Sequence, residues 1–157
     1  VQILPDDTLG DVYFSKIFSV GVNACVEAVD LIASGNPPRI IQDELKATYE
    51  TWCKKSDSKI NWNKSGQEIY NLIRGCTPQP GAWANIEGNE YSFYDTSFEL
   101  TKNSKFLSGQ IISINKHEIV ISVIGGLLKV SRIKSKQGKL YIKEMDTDVF
   151  KVGYVFM

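Results

Sequence analysis

The 157-residue sequence has little of the metal and thiol chemistry on which many small proteins depend. It contains three cysteines, none in a C-x-x-C pair, and a single histidine far from all three. This spacing argues against a zinc site, and a chain of this length buries about two-thirds of its unfolded surface without a disulfide framework. We therefore expect free thiols and a cytoplasmic location. Cys25 lies in an apolar helical pattern and is predicted to be a small core residue.

Long apolar runs are also missing. No stretch approaches the roughly 18 apolar residues that a membrane-spanning helix needs. The first five residues lack the charged flank and the cleavage site of a signal peptide. Apolar residues at 43% and charged residues at 23% are typical of a soluble globular chain with no membrane partner. We expect one domain, or one domain with part of another, and the start at Val1 favours an excerpt or a processed product.

The net charge of the chain is zero, but acidic and basic residues are segregated along it. Residues 1–99 contain 8 Lys and Arg against 14 Asp and Glu, a net charge of −6. Residues 100–157 contain 10 against 4, a net charge of +6. A basic half can bind nucleic acid, or it can dock on the acidic half of its own chain. Without further support we favour the second interpretation.

The first third of the chain has the pattern of helices. Apolar residues at steps of three and four predict helices at about 8–18 and 20–34. Thr8 and Ser19 are candidate caps for these helices, and Gly35 followed by two prolines ends the pattern. We therefore expect a helical N-terminal segment over the first 35 residues.

The rest of the chain predicts a linker and then a small β domain. Residues 36–59 hold two prolines and several charges, and a domain boundary is expected there. Ser65 and Glu68 match a capping box, which predicts one helix of about ten residues. Five or six short strands with close turns follow from residue 80 onward. The predicted fold class is α+β: a helical segment, a linker, and over residues 60–157 a small open, OB-like β-barrel with one packed helix.

Basic residues cluster in the hairpin predicted after the Gly125-Gly126 turn. They are Lys129, Arg132, Lys134, Lys136 and Lys139, with Tyr141 and Lys143 close by. Small barrels often bind nucleic acid through basic strands and aromatic side chains, so this hairpin is the candidate contact for tRNA or a partner. The alternative interpretation is a solvated face, or a sheet edge that lysines protect against aggregation. We favour the alternative because few aromatic residues are available for base stacking.

Catalytic motifs are scarce. His117 lies in a predicted turn with no serine or cysteine elbow nearby, and we interpret it as an exposed turn residue rather than a general base. Trp52, Trp62 and Trp83 could line a ligand pocket, but tryptophan more often anchors a core or an interface. We assign no catalytic, cofactor-binding or metal-binding residue from the sequence.

Several short motifs, in their order and spacing, resemble the C-terminal region of folate-dependent formyltransferases. They are Ile60-Asn61-Trp62, a capped helix ending in Ile73-Arg74-Gly75, Pro80-Gly81-Ala82-Trp83, Gly125-Gly126-Leu127-Leu128 and Gln137-Gly138-Lys139. The resemblance implies a structural part for Trp62, Arg74, Pro80, Gly81 and Trp83. Residues 1–35 resemble the helical end of the Rossmann-like catalytic domain that precedes this region. Residues 47–50 and 59–75 look most similar to the hydrolase domain of 10-formyltetrahydrofolate dehydrogenase. The strand region looks at least as similar to methionyl-tRNA formyltransferase, and sugar-modifying formyltransferases share the same outline.

The resemblance implies a parent enzyme that moves the formyl group of 10-formyltetrahydrofolate to an amine or to water. In this family an Asn, a His and an Asp of the catalytic domain perform the chemistry, and none of the three is recognisable here. We therefore predict that the chain alone is inactive and binds no cofactor, and that its partners are the missing catalytic domain and, in one version, tRNA. The alternative function is a stand-alone tRNA-binding barrel that uses the basic hairpin, and the third is a metabolite-binding module with no enzyme parent.

The predicted N-terminal helices would lack the sheet that they cover in the family. Their apolar residues, which would then be exposed, are Leu9, Val12, Val22, Val26 and Val29. Contiguous exposed apolar surface favours association, so we expect self-association through these helices.

Overall fold

The chain forms two compact units, which we call the N-terminal unit (Val1–Trp52) and the C-terminal unit (Cys53–Met157). This computed structural model describes residues 1–101, 105–136, 138–145 and 149–157. The division between the units falls inside the predicted linker. Gln137, part of one motif of the resemblance, lies outside the described residues.

The N-terminal unit contains one uninterrupted helical run instead of the two predicted helices. A π-helix at Asp11–Ile17 continues directly into helix α1 at Phe18–Ala33. The predicted break at Ser19 is wrong, because no proline or glycine lies between residues 11 and 20 and the backbone keeps helical angles through the junction. Gly35, with a φ of +82°, follows the end of α1 as predicted.

No residue of the N-terminal unit is buried. Cys25 is exposed, so the prediction that it is a core residue is wrong. The reason is that the apolar positions of α1 have no second element of this unit to pack against: Val22, Val26 and Val29 are 49%, 56% and 63% exposed. A short 3-10 helix, Glu44–Lys46, follows later in the unit.

The C-terminal unit is α+β, as predicted. Helix α2, Gly66–Gly75, begins at the predicted capping box: Ser65 Oγ accepts from Glu68 N at 3.3 Å, and Glu68 Oε2 accepts from Ser65 N at 3.0 Å. Among the residues that the structure describes, six strands follow α2. They are β1 Ala82–Ile86, β2 Asn89–Leu100, β3 Ile111–Ile114, β4 Ile119–Val123, β5 Gly126–Ser135 and β6 Gly138–Tyr141, and a 3-10 helix, Ile142–Glu144, comes after them.

The six strands form one antiparallel sheet that is open rather than closed. Its order is β1-β2-β5-β4-β3, and β6 pairs with the part of β5 that extends beyond β4. The last residues of the chain hydrogen-bond to both edges. Met157 and Asn85 of β1 exchange two backbone hydrogen bonds, and Ile111 N of β3 donates to Tyr154 O. The predicted open β structure is confirmed by this strand order.

The core of the C-terminal unit lies between α2 and the sheet. Trp62 closes one end of this core, with its ring 6.1 Å from Phe93 and 5.8 Å from Phe156 between centroids. Side chains that are 2% exposed or less fill the interior; they include Ile69, Ile73, Ile86, Phe93, Ile111, Ile121, Leu128, Val130 and Ile133. This unit thus folds around a core of its own.

A bend in β2 and β5 creates the outer surface on which the candidate site lies. Asp95 of β2 has a φ of +48°, in the left-handed region. Along β5, even-numbered residues such as Leu128 are buried before the bend, whereas the odd-numbered Ile133 is buried after it. The face of the strand that points into the core therefore changes at the bend. Beyond the bend, Arg132 and Lys134 consequently face outward beside β6.

Candidate functional site

Four strands align one row of side chains on the outer surface, which we call the lysine row. Trp83 of β1 pairs with Ser92 of β2, Ser92 with Lys134 of β5, and Lys134 with Lys139 of β6. Partners directly opposite each other in an antiparallel sheet project to the same face. The strand registers therefore bring an indole, a hydroxyl and two ammonium groups to one surface.

A second row, the arginine row, lies next to the first, and the positive charge of its arginine is balanced by a neighbouring carboxylate. Arg132 pairs with Tyr94 on one side and Tyr141 on the other, with its guanidinium carbon 5.6 Å and 5.5 Å from the two ring centroids. Its Nη2 donates to Asp95 Oδ1 at 2.8 Å. Tyr94 is buried, and this burial raises the pKa of its phenol. Arg132 is thus held by aromatic faces and a carboxylate.

Lys129 lies before the bend, apart from the other predicted basic residues. Its Nζ is 2.8 Å from Glu99 Oε2 across the β2–β5 pair, and this hydrogen bond raises the pKa of Lys129. The basic cluster of the sequence is therefore divided. Lys129 and Arg132 each face a carboxylate, whereas Lys134, Lys136 and Lys139 have no ion pair in the part of the chain that the structure describes.

Lys139 lies over an aromatic ring and beside two other cations. Its Nζ is 4.1 Å from the centroid of Tyr94. Burial lowers the pKa of Lys139, and the positive charges of Arg132 and Lys134 lower it further. Because Lys134 and Lys139 are direct cross-strand partners, this end of the hairpin carries an unfavourable like-charge contact.

A cleft of about 550 Å³ lies along the lysine row and is lined by Trp83, Ser92 and Lys134 of that row. Its charged lining residues are Lys55, Glu90, Lys134 and Lys136, and Trp83 and Pro80 form an apolar wall. Lys55 Nζ is 2.7 Å from Glu90 Oε2. Three lysines against one glutamate give the cleft a net charge of +2. The arrangement is suited to an anion rather than to acid–base chemistry.

Three motif residues of the resemblance, Pro80, Gly81 and Trp83, line this cleft. Trp83 Nε1 donates to Lys55 O at 2.7 Å, and Lys55 and Lys59 lie 5.2 Å and 5.4 Å from its ring. Gly81 has a φ of +86°, and a Cβ there would collide with the Tyr94 hydroxyl, so only glycine fits.

The tryptophans do not share one role. Trp62 is buried in the core, Trp83 is half-buried at the cleft, and Trp52 is 92% exposed and is therefore not a core residue. Arg74, in the last turn of α2, donates from Nε to Asn71 Oδ1 at 2.8 Å.

Sequence reasoning missed Lys55, Glu90 and Ser92. Ser92 could have been found, because the Glu87-Gly88 turn has positive φ at both positions and sets the β1–β2 register that places Ser92 opposite Trp83. Lys55 lies in an irregular segment, and no local pattern brings it to Glu90. This pair therefore becomes visible only in three dimensions.

The single histidine and the buried cysteine do not line this cleft. His117 is exposed in the turn between β3 and β4, where its N–H donates to Asn115 Oδ1 at 2.8 Å, as interpreted. Cys76 is buried at the end of α2, and this burial, with Cys53 nearby, raises its pKa to about 12. Among the described residues no group of three or more His, Cys, Asp and Glu could hold a metal ion. No helix in this part of the chain is long and apolar enough to span a bilayer.

Comparison with known proteins identifies the C-terminal unit. Residues 53–147 match the family model described as formyl transferase, C-terminal domain. The chain belongs to this family. It is 42% identical over 113 residues to the cytosolic 10-formyltetrahydrofolate dehydrogenase of Xenopus laevis, covering 72% of this chain and 12% of the relative. It is 34% identical over 137 residues to the methionyl-tRNA formyltransferase of Flavobacterium psychrophilum, covering 83% and 42%. The chain thus spans less than half the length of these relatives.

A solved structure shares the fold. HypX from Aquifex aeolicus, crystallised in complex with tetrahydrofolic acid, superposes with a TM-score of 0.73 at 15% identity. The match covers 99% of this chain and 29% of that one. The resemblance to the C-terminal region of folate-dependent formyltransferases is therefore confirmed, both in sequence and in fold.

Proposed function

We propose that residues 53–157 serve as the non-catalytic C-terminal domain of an enzyme that transfers or hydrolyses the formyl group of 10-formyltetrahydrofolate. One observation carries the proposal: the family match begins at residue 53, where the C-terminal unit with its own core also begins. The relatives supply the substrate class, since one is named a 10-formyltetrahydrofolate dehydrogenase and the other a methionyl-tRNA formyltransferase.

In this proposal the domain supports the catalytic domain or positions the formyl acceptor. Residues 1–35 are assigned to the end of that catalytic domain. The exposed apolar side of α1, with Val22, Val26 and Val29, supports this assignment because it provides surface for a covering partner. We do not propose tRNA binding as a second function, because Lys129 and Arg132 are neutralised by neighbouring carboxylates.

The test is an assay of formyl release and transfer by the chain as it stands. The chain is incubated with 10-formyltetrahydrofolate, with and without an amine acceptor, and the tetrahydrofolate formed is measured by chromatography. The matched control is the full-length Flavobacterium psychrophilum methionyl-tRNA formyltransferase at the same concentration. We expect the chain to produce tetrahydrofolate at the uncatalysed rate.

Turnover above that rate would contradict a non-catalytic role. The single histidine then becomes the first group to examine, because histidine is the side chain that most often performs general acid–base catalysis. Loss of that turnover in His117→Ala would assign the chemistry to this chain. Unchanged turnover in the variant would show that His117 is not the catalytic group.

A further inference from the structure

The basic residues of β5 lie beside carboxylates except where the strand reaches the cleft. Before the bend Lys129 faces Glu99, and at the bend Arg132 faces Asp95, each at 2.8 Å. Beyond the bend Lys134 and Lys136 are exposed and have no ion pair within the described residues. The difference separates a compensated half of the strand from a half that presents positive charge.

The uncompensated half also carries a like-charge contact that an anion would relieve. Lys134 stands directly opposite Lys139, and two cations in that position destabilise a strand pair. Lys136 lies two residues further on, in the turn that follows β5, and lines the same cleft as Lys134. An anion held by Lys134 and Lys136 would screen this repulsion.

The carboxylate in the cleft is already neutralised. Glu90 of β2 lines the cleft together with Lys134 and Lys136 and would repel an anion if it were free. Its Oε2 is instead 2.7 Å from Lys55 Nζ. The positive charge that remains belongs to Lys134 and Lys136, which places the anion on the β5 side of the cleft.

Size and chemistry define the ligand class. A volume of about 550 Å³ is in the range of small-molecule sites and exceeds the need of a single inorganic phosphate. Lysine ammonium groups bind phosphate as point charges, and the net charge of +2 calls for at least two negative charges. Trp83 and Pro80 offer an apolar wall to an organic group.

We propose that this cleft binds a phosphorylated small molecule with at least two negative charges, held by Lys134 and Lys136, with its organic part against Trp83 and Pro80. The proposal does not depend on formyl transfer. It stands on the charge distribution of β5 and on the walls of the cleft.

The test is a calorimetric titration of the whole chain with pyrophosphate and with ADP at about 50 mM salt. We expect both probes to bind, and ADP to bind more tightly because its nucleoside reaches the Trp83 wall. Lys134→Gln with Lys136→Gln should weaken both probes by about tenfold or more, since each lost lysine removes a charge-assisted hydrogen bond. The matched control, Lys129→Gln, removes a compensated lysine of the same strand and should leave both affinities unchanged.

Three results would overturn the proposal. One is that neither probe binds at concentrations up to about 10 mM, which would mean a dissociation constant too weak for a specific site. Another is equal weakening in Lys129→Gln, which would mean general attraction to a basic surface. The third is binding of tRNA, abolished in the double variant, without binding of pyrophosphate or ADP; the row would then be a nucleic-acid surface. Thermal unfolding of each variant without ligand checks that the fold is retained.

Discussion

The two units begin their helices with the same local device but bury very different amounts of surface. Thr8 and Asp11 exchange hydrogen bonds in the N-terminal unit, as Ser65 and Glu68 do in the C-terminal unit. Helix α2 nevertheless buries four of its residues, and α1 buries none. Caps define where a helix begins, whereas packing of an apolar face provides most of its stability. The C-terminal unit should therefore contain most of the free energy of unfolding.

The largest expected difference between the units concerns core truncation. Leu128 is fully buried in the sheet, and Leu128→Ala should lower the free energy of unfolding by about 2–5 kcal/mol through lost burial and a cavity. The control Val26→Ala removes a side chain that is 56% exposed and should change it by about 0.5 kcal/mol or less. Urea unfolding followed by tryptophan fluorescence measures both. Equal losses would mean that α1 is part of the cooperative core.

Glycine substitutions sharpen the same comparison. A Cβ on Gly126 would collide with the backbone oxygen of Glu99 and with Phe98, so Gly126→Ala should destabilise the sheet by about 1–3 kcal/mol. A Cβ on Gly21 meets nothing, and Gly21→Ala should stabilise α1 by about 0.5–1 kcal/mol. Thermal melts followed by circular dichroism report both. A destabilised helix in Gly21→Ala would show that α1 packs against a surface in solution.

The capping boxes should have a smaller effect, of about 1 kcal/mol for Ser65→Ala. Hydrogen bonds from Ser65 lower the pKa of Glu68 below its ordinary value of 4.5. The contribution of this group is therefore present above pH 4.5 and lost as the pH falls through the lowered pKa. Ser65→Ala should remove both the cap and this pH dependence. Urea titrations at pH values from about 3 to 7 measure the effect, because this range includes the usual pKa values of glutamate. If the free energy of unfolding of this variant still falls as the pH is lowered, another carboxyl group is responsible for the pH dependence.

The weakest expected effect is self-association through the N-terminal unit. Its exposed apolar residues should make the mean mass in light scattering rise with concentration, and Val26→Glu should suppress the rise. The control Ile124→Glu changes an exposed residue of the C-terminal unit and should not. A chain that stays monomeric at every concentration would contradict self-association through these exposed apolar residues.

Much of the fold follows from local signals. The Ser65–Glu68 box and the turns before β2 and β5 predict where elements begin, because capping and turn chemistry act within a few residues. The continuation of the helix through Ser19 was not predictable in this way, since a cap residue without a breaker does not end a helix. The exposure of Cys25 escaped prediction because periodicity identifies an apolar face without telling what covers it.

The site was predictable only in part. All five basic residues of the hairpin are recognisable in the sequence, but the sequence does not show which of them lie beside a carboxylate. Asp95 and Glu99 reach Arg132 and Lys129 through the long β2–β5 pairing, which depends on register between distant strands. Spatial pairing therefore decides which charges are available to a ligand.

Amide hydrogen exchange of the whole chain tests the contrast between the units most directly. Exchange through global unfolding is expected for amides of β4 and β5, such as Ile121 and Val130, because they lie in the buried sheet. Amides of α1 across Phe18–Ala33 should exchange through local opening and lose protection far earlier. Protection of α1 equal to that of β4 and β5 would contradict the account, since the helix would then share the core of the C-terminal unit.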